Sequence, residues 1–329
     1  MKNLYLISND KIWKSQHYYT SNNDLNNIIS CFVENYKIFL INRKSNKKLN
    51  FFIKDKFTLL NIKDIKEKKI NLMLISITPY NFLVLLKLIF LKKINIKGYV
   101  YLRSDGFLEY KHRYGILGYY FYYFMFKIIS SKLKILSCSN NFTKVKVRKI
   151  LHPSELDSVW FRKNASRNKY LTDFLYVGRF KKDKGGAYLS QIFKEYLKDY
   201  KLTIVGNDKE SINRKYYNKN IKFLGPISNT KKLIKIYDST RIFILASYIE
   251  GFPKVISESL ARLRPVIIFE DIKYVIHGRK GIFVCKRNEK SLRKTINYVL
   301  KNYSKIQIQI KKNFFFYKEK FYGRIGEFN

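Results

Sequence analysis

Two glutamates, Glu250 and Glu258, are separated by seven residues in the segment SYIEGFPKVISESLARLRPVI. Glu250 follows an apolar run that predicts a buried strand, so it lies in the loop at the carboxyl end of that strand. Pro253 suits the first turn of a helix, and Glu258 falls in the periodic apolar stretch that follows it. The free N–H groups of such a helix favour a phosphate, and carboxylates accept hydrogen bonds from hydroxyl groups. The segment therefore predicts a site for a ligand that carries both groups.

A lone glutamate is more often a solvated surface residue, so the interpretation depends on other parts of the sequence. The stretch FLYVGRFKKDKGG places Arg179 and Lys184 on a loop between a strand and a helix, after Gly178. Two cations at the end of a strand can neutralise a diphosphate, and arginine adds a bidentate fork. Chance explains the other lysines of the loop in so lysine-rich a chain. Arginine is scarce here, and Arg179 is therefore the more informative residue.

Two more strand-like runs in this half end on glycine, at Gly206 in LTIVGN and at Gly225 in IKFLG. Glycine after a strand is common, and neither run alone is specific. Their order and spacing relative to the cationic loop and the glutamate segment carry the information.

Short apolar runs alternate with helical patterns along the chain, which is typical of βα units around parallel sheets. Strands are predicted at 4–8, 38–42, 72–77, 99–102, 135–138, 174–177, 202–205, 221–224, 242–246 and 266–269. Helices are predicted at 81–91, 117–130, 186–200, 230–238, from 253 and at 289–303. A length of 329 residues suits two domains of about 150 residues each. The prediction is an α/β protein of two Rossmann-like domains facing a cleft, with ligands at the carboxyl ends of the strands.

The second half resembles the family-4 retaining glycosyltransferases of GT-B fold (glycosyl transferases group 1). The motifs that carry the resemblance are, in family order, VGRFKKDKGG, TIVGN, IKFLG, EGFPKVISESLARLRPVI and IHGRKGIFV. Upstream, ILHPSELDSVWF looks like the interdomain crossing of the family. We expect an acceptor-binding domain at 1–152 and a nucleotide-sugar-binding domain at 153–305. A basic, aromatic segment at 306–329 is expected to return towards the first domain.

The resemblance implies roles for the residues of these motifs. Arg179 and Lys184 would hold the donor diphosphate, Glu258 the ribose hydroxyls, and Glu250 the transferring sugar. The nucleobase would lie near Gly206 and Gly225. The remaining expected donor-binding residues are Gly178, Gly251, Phe252, Pro253, Lys254 and Val255.

The first half departs from the family pattern. Relatives have a glycine-rich loop after the first strand, whereas this chain has the glycine-free stretch SNDKIWKSQHYYTSNND. Where many relatives place a histidine, this chain has Arg103, Ser104 and Asp105. Asp105 is a candidate for orienting the acceptor hydroxyl, although capping the turn before Gly106 is an equally good interpretation. His17 is a second candidate on the acceptor side.

The sequence indicates metal-independent chemistry. No two aspartates are separated by a single residue, so the metal-binding D-x-D of the other major glycosyltransferase fold is absent. Arg179, Lys184 and the helix after Pro253 can stabilise a departing diphosphate in place of Mg²⁺. We therefore expect no metal and no cofactor, with the nucleotide sugar as a substrate. A Rossmann dehydrogenase is excluded because no G-x-G-x-x-G follows any strand.

The formal net charge of +42 suggests an anionic partner. Compositional drift in an AT-rich coding sequence explains the same lysine-rich mixture. A basic nucleic-acid-binding protein without catalytic activity is the alternative interpretation, but no nucleic-acid-binding motif accompanies the charge, and we expect no specific nucleic acid. Three widely spaced cysteines and a start without a signal peptide favour the cytoplasm.

The run YYFYYFMFKII, residues 119–129, pairs aromatic residues with nearby lysines. Such a run can lie at the headgroup boundary of an anionic membrane, or it can be a core helix of the first sheet. The first interpretation predicts a peripheral enzyme on the inner face of the cytoplasmic membrane. Its acceptor would then be a glycan or lipid-linked precursor of lipopolysaccharide, O-antigen or capsule type.

Overall fold

The structure is a computed structural model that describes residues 1–20, 24–30, 32–49, 51–54, 56–139, 142–143, 145–151, 156, 158–161, 170–206 and 212–313. It divides into two compact units, Met1–Pro153 and Ser154–Lys318. Cys31 and the greater part of the predicted C-terminal segment, residues 314–329, lie outside the described residues.

The first unit is built on a parallel sheet. Its strands are β1 (Lys2–Lys14), β2 (Tyr18–Thr20), β3 (Tyr36–Lys44), β4 (Phe51–Phe52), β5 (Thr58–Leu59), β6 (Lys69–Ile75), β7 (Asn95–Leu102), β8 (Lys134–Ser137) and β9 (Lys149–Ile150). Its helices are α1 (Asp24–Ser30), α2 (Pro79–Leu86) and α3 (Gly106–Lys132). The parallel strands pair in the order β5-β3-β1-β6-β7-β8-β9. This places β1 at the point where the strand order reverses, as in the Rossmann fold.

The glycine-free stretch after the first predicted strand is not a loop. The strand predicted at 4–8 extends to Lys14 as β1, and its end pairs antiparallel with β2, with Ile12 opposite Thr20. The buried side chain of Ile12 packs in the core of this unit. The extended hairpin explains the missing glycine, because a strand has no need of a residue with positive φ.

The helix predicted at 117–130 also differs. Helix α3 begins earlier, at Gly106, where the Asp105 side chain caps it by accepting a hydrogen bond from the Leu108 N–H. Gly115 interrupts it with φ 68° and ψ −158°, a conformation open to glycine and not to ordinary residues. The chain therefore turns sharply within the element.

The second unit contains a fully parallel sheet in the order β12-β11-β10-β13-β14-β15. Its strands are β10 (Thr172–Val177), β11 (Leu202–Val205), β12 (Ile221–Gly225), β13 (Thr240–Leu245), β14 (Val266–Phe269) and β15 (Ile282–Cys285). Its helices are α4 (Gly186–Glu195), α5 (Thr230–Asp238), α6 (Lys254–Ala261), α7 (Glu289–Lys301) and α8 (Tyr303–Lys311). The strands β10, β11, β13 and β14 are largely buried apolar runs, as expected for a sheet covered on both faces. The strand order reverses between β10 and β13, and this is where such folds bind ligands.

Two helix ends in this unit differ from the sequence prediction. The helix predicted at 186–200 ends at Glu195, and the Asn220 side chain donates to the carbonyls of Phe193, Leu197 and Tyr200 in its last turn and in the turn that follows. The helix predicted at 289–303 is followed directly by α8. The buried side chains of Ile306 and Ile310 join the core of the second unit. The start of the predicted C-terminal segment therefore packs within this unit.

Candidate active site

Three strands end side by side on glycine at one edge of the second sheet. The Gly178 N–H donates to the Val205 carbonyl at 2.9 Å, and the Gly206 N–H donates to the Gly225 carbonyl at 3.0 Å. Gly206 has φ 138°, and a Cβ built on it would lie 2.2 Å from the Gly178 carbonyl oxygen. The end of β11 is thus packed too closely against the end of β10 for a side chain at Gly206.

The loop that carries Lys184 is tied to the end of β13. Gly185 has φ 68°, and a Cβ there would lie 1.9 Å from the Ala246 carbonyl oxygen. The Tyr248 N–H donates to the Asp183 carbonyl at 2.9 Å. These backbone contacts fix Lys184 beside the loop that contains Glu250.

Lys184 and Glu250 form an ion pair. Lys184 Nζ lies 2.8 Å from Glu250 Oε1, and both side chains are largely buried. The Ser247 hydroxyl donates to the same carboxylate oxygen at 2.6 Å. The structure thus brings together two predicted site residues from different loops, and a buried neighbour holds the carboxylate in place.

Tyr274 fixes the backbone of the Glu250 loop. Its hydroxyl donates to the Glu250 carbonyl at 2.7 Å and accepts from the Glu250 N–H at 3.2 Å. A residue bonded through both backbone groups has little freedom to rotate. The Glu250 side chain is therefore presented from a rigid position.

Helix α6 begins four residues after Glu250, and no side chain caps its first turn. Pro253 occupies the N-cap position, and its side chain offers no acceptor for the N–H groups of Lys254 and Val255. Phe252 packs under the Arg279 guanidinium, which lies 5.0 Å from the ring centroid. The helix therefore presents free backbone donors and its positive end next to the Glu250 loop, an arrangement that suits an anion.

Glu258 lies on α6 and is buried. Its Oε2 accepts a hydrogen bond from the Tyr237 hydroxyl at 3.0 Å, and Lys254 Nζ lies 3.9 Å from its Oε1. Burial raises the pKa of the Glu258 carboxyl above its usual range, while Lys254 and the Tyr237 hydrogen bond oppose this rise. A buried carboxylate with one well-bonded oxygen is able to accept further hydrogen bonds from a ligand.

Arg179 is exposed at the end of β10. The Tyr176 hydroxyl donates to the Arg179 carbonyl and to the Lys184 carbonyl, at 3.1 Å each, so one buried ring holds both ends of the loop. Among the described residues the Arg179 guanidinium forms no ion pair. Its charge is available to a ligand at this edge of the sheet.

Arg287 supports the site, although no motif in the sequence points to it. Its guanidinium donates to the carbonyls of Ala246 and Ser247 at 3.0 and 3.1 Å, and it pairs with Asp271 at 2.8 Å. It also stacks 3.8 Å from the Tyr248 ring centroid. Arg287 therefore anchors the start of the Glu250 loop. The scarcity of arginine, the signal used for Arg179, was the available clue.

Two buried arginines after α6 hold this helix to its neighbours. Arg262 makes a bidentate pair with Asp238, both bonds 2.8 Å long, and also donates to the Trp160 carbonyl. Arg264 donates to the Tyr237 and Asp238 carbonyls. These bonds fix α5, which carries the tyrosine that contacts Glu258.

The two acceptor-side candidates lie in the first unit. Asp105 is the cap of α3, and burial raises the pKa of its carboxyl. The exposed His17 lies in the turn between β1 and β2, with its ring 5.2 Å from that of Phe52. Within the part of the chain that the structure describes, no group of three His, Cys, Asp or Glu side chains is placed to hold a metal ion.

Comparison with known protein families identifies the family of the second unit. The family model described as Glycosyl transferases group 1 matches residues 172–302, a range that includes Arg179, Lys184, Glu250 and Glu258. This domain belongs to the glycosyl transferases group 1 family. An uncharacterized glycosyltransferase of Haemophilus influenzae is 29% identical over 123 residues, which are 35% of this chain and 35% of that protein. The alignment thus spans about a third of the curated relative.

Solved structures establish the fold of the chain. Sucrose-phosphate synthase from Thermosynechococcus elongatus has a TM-score of 0.68 at 13% identity, covering 99% of this chain and 97% of that one. HepE of Anabaena, crystallised with UDP and glucose, has a TM-score of 0.66 at 12% identity, covering 99% and 98%. The predicted α/β GT-B fold is therefore confirmed. No helix among the described residues has the length and apolar character needed to cross a bilayer.

Proposed function

We propose that the protein is a retaining, hexosyltransferase-like glycosyltransferase that transfers a sugar from a nucleotide-sugar donor to a glycan acceptor. One observation carries this proposal: the buried Lys184–Glu250 pair lies next to the uncapped start of α6. A cation, a carboxylate and free backbone donors are then available to a sugar attached to a diphosphate. Membership of the second domain in glycosyl transferases group 1 supports the same conclusion.

The diphosphate would be bound by three positive groups. Arg179 offers a planar fork of donors, Lys184 an ammonium, and α6 its N-terminal N–H groups. When the bond from the sugar C1 to the diphosphate breaks, negative charge builds up on the leaving oxygen. The three groups stabilise this charge electrostatically, which is the task that a divalent cation performs in other transferases.

Lys184 would exchange partners when the donor binds. In this structure its ammonium contacts Glu250, which also accepts from Ser247. A diphosphate carries more charge than one carboxylate, so it competes for the ammonium. The Glu250 carboxylate then accepts hydrogen bonds from sugar hydroxyls. Lys184 would thus contact the diphosphate of the donor, and Glu250 would contact its sugar.

The nucleoside would lie along the bare edge formed by Gly178, Gly206 and Gly225, where side chains would block a flat ring. Glu258 would accept the ribose hydroxyls, with Tyr237 fixing the far oxygen of its carboxylate. The donor-binding surface would therefore be supplied by the second unit.

Transfer would proceed on one face of the sugar. The acceptor oxygen bonds to C1 on the side from which the diphosphate leaves, and its proton passes to a leaving phosphate oxygen. Such a step needs no protein nucleophile, no metal and no cofactor, and it retains the anomeric configuration. The protein's contribution is orientation and charge stabilisation.

For the acceptor, we propose a lipid-linked or cell-envelope glycan of lipopolysaccharide, O-antigen or capsule type. The protein would then work as a peripheral enzyme on the inner face of the cytoplasmic membrane. The basic and aromatic character of the first unit supports this assignment. HepE was crystallised with UDP and glucose, which makes UDP-sugars the first donors to test.

The proposed function is tested by measuring the melting temperature with UDP-, GDP- and ADP-sugars. A donor present at a hundred times its dissociation constant stabilises the fold by about 2.7 kcal/mol. We expect one nucleotide class to raise the melting temperature, and the K182M variant, altered at an exposed lysine of the same turn, to respond equally. Absence of a shift with every nucleotide sugar and every nucleoside diphosphate would contradict the proposal.

A further inference from the structure

Helix α3 is a hairpin of two helical segments that meet at Gly115. The backbone of Gly115 is far from helical, and Phe107 in the first segment contacts rings of the second. Its ring centroid lies 4.8 Å from that of Tyr122 and 5.1 Å from that of Phe126. Gly106 allows this approach, because a Cβ there would overlap the Tyr122 ring. The two segments therefore pack against each other, with Gly115 at the tip.

The hairpin has a buried side and an exposed apolar side. Tyr122, Met125, Phe126 and Ile129 are buried. The large side chains that remain exposed are Leu108, Tyr114, Ile116, Leu117, Tyr120, Phe121, Tyr123 and Phe124. At the tip, Leu117 is 78% exposed and Ile116 56%. Isolated exposed apolar residues are ordinary, but a cluster on one element marks an interaction surface.

The charges around the hairpin are nearly all positive. Lys111, Arg113 and Lys127 are exposed on α3, and the only carboxylates in the sequence from 79 to 134 are Asp105 and Glu109. Asp105 caps the helix and Glu109 pairs with Arg113, so neither offsets the lysines. An apolar tip with a cationic rim is complementary to an anionic lipid surface.

We propose that the α3 hairpin is a docking surface for an anionic phospholipid bilayer, with Ile116 and Leu117 inserted at the boundary between headgroups and acyl chains. The tyrosines beside the tip suit the headgroup level, where an apolar ring and a polar hydroxyl are both accommodated. A second copy of the chain is the less favourable occupant, because two such rims would bring like charges together. The proposal rests on the proposed function, in that a lipid-linked acceptor lies at such a surface.

Adsorption through charge must be separated from insertion of the tip. The L117W variant places an indole at the tip, and L171W places one at an exposed position in the second unit. Both are mixed with vesicles of phosphatidylcholine and phosphatidylglycerol, and the signal of the native tryptophans is subtracted. We expect the L117W emission to shift to the blue and to be quenched by brominated acyl chains, with L171W unchanged. Equal behaviour of the two variants overturns the proposal.

A second measurement uses binding to the same vesicles. The double variant I116S/L117S should bind about tenfold more weakly than the unmodified protein. The matched control Y298S/I308S removes two comparably exposed apolar side chains from the second unit and should bind normally. Equal binding by both double variants overturns the proposal. So does a sedimentation measurement in which the unmodified protein is a dimer that only I116S/L117S dissociates.

The melting-temperature shift given by a nucleotide sugar separates the two proposals. It should be the same in I116S/L117S and in the unmodified protein, because the hairpin lies outside the donor site. Absence of vesicle insertion by L117W, together with an intact donor response, contradicts the docking surface alone. An intact insertion signal without any donor response contradicts the proposed function alone.

Discussion

Lys184 and Glu250 are 66 positions apart in the chain, yet the ammonium of one lies 2.8 Å from the carboxylate of the other. Each residue belongs to a loop at the carboxyl end of a strand, β10 for Lys184 and β13 for Glu250. These strands are neighbours in the sheet, with Phe174 in register with Ile242. The parallel topology therefore brings a candidate phosphate-binding cation and a candidate sugar-binding carboxylate to one point.

Replacing Lys184 by methionine should weaken donor binding. A charge-assisted hydrogen bond to phosphate would be lost, which corresponds to an increase in Kd of about 30-fold. Calorimetric titration with the donor found by the screen measures this change. The K182M variant removes an exposed lysine of the same turn and should bind almost normally. Equal losses in the two variants would point to general charge and not to a specific contact.

Transfer should continue without divalent metal. Arg179, Lys184 and the start of α6 supply the positive charge that the leaving diphosphate requires. The rate of nucleoside diphosphate release in excess EDTA should therefore stay within about twofold of the rate with Mg²⁺, since a group that stabilises the transition state contributes far more. A strict requirement for Mg²⁺ or Mn²⁺ would show that the leaving-group chemistry is wrong.

The buried pair of Arg262 and Asp238 should matter far more to stability than a surface pair. Arg262→Ala leaves the Asp238 carboxylate buried without its partner, and we expect a loss of about 3–5 kcal/mol in the free energy of unfolding. Arg241→Ala removes the partially exposed pair with Asp173 and should cost about 1 kcal/mol or less. Urea unfolding measures both values. Similar losses would contradict the assigned role of Arg262.

The pH dependence of stability should report the burial of Glu258. Burial raises the pKa of this carboxyl in the folded state above the ordinary value of 4.5, so the folded protein holds the proton more tightly than the unfolded chain. Stability from this group is present at low pH and is lost as pH rises from 4.5 through the raised pKa. The stability of Glu258→Gln relative to the unmodified protein should therefore increase as the pH rises through that window. At higher pH the difference in stability should persist. Urea unfolding at a series of pH values measures the difference, and a constant difference would contradict the sign of the shift.

The sequence predicts the α/β class and the strands of both sheets because buried parallel strands are continuous apolar runs. It also predicts that Lys184 and Glu250 each follow the carboxyl end of a strand, but not that the two strands are neighbours in the sheet. It does not reveal the contributions of Arg287, Arg262 and Arg264, because their partners are backbone carbonyls and rings that only the tertiary fold brings near. The edge strand β15 was not predicted, although Ile282–Cys285 form a short apolar run.

In the first unit, too, contacts between residues distant in the sequence determine structure that local patterns do not predict. The length of the strand β1 depends on its pairing with β2. No local pattern in the stretch after Ser8 predicts this pairing. The α3 hairpin depends on Gly115 and on the approach of Phe107 to Tyr122. A glycine in an apolar run is compatible with a straight helix or with a turn, and the packing of distant rings decides between them.

Sugar transfer measured in Arg179→Ala and Glu250→Gln tests whether the second unit binds and activates a nucleotide sugar. We expect each variant to release the nucleoside diphosphate about 100-fold more slowly than the unmodified protein, while circular dichroism shows that the fold survives. The K182M variant should keep its rate. A well-folded Arg179→Ala protein with undiminished turnover would contradict the claim.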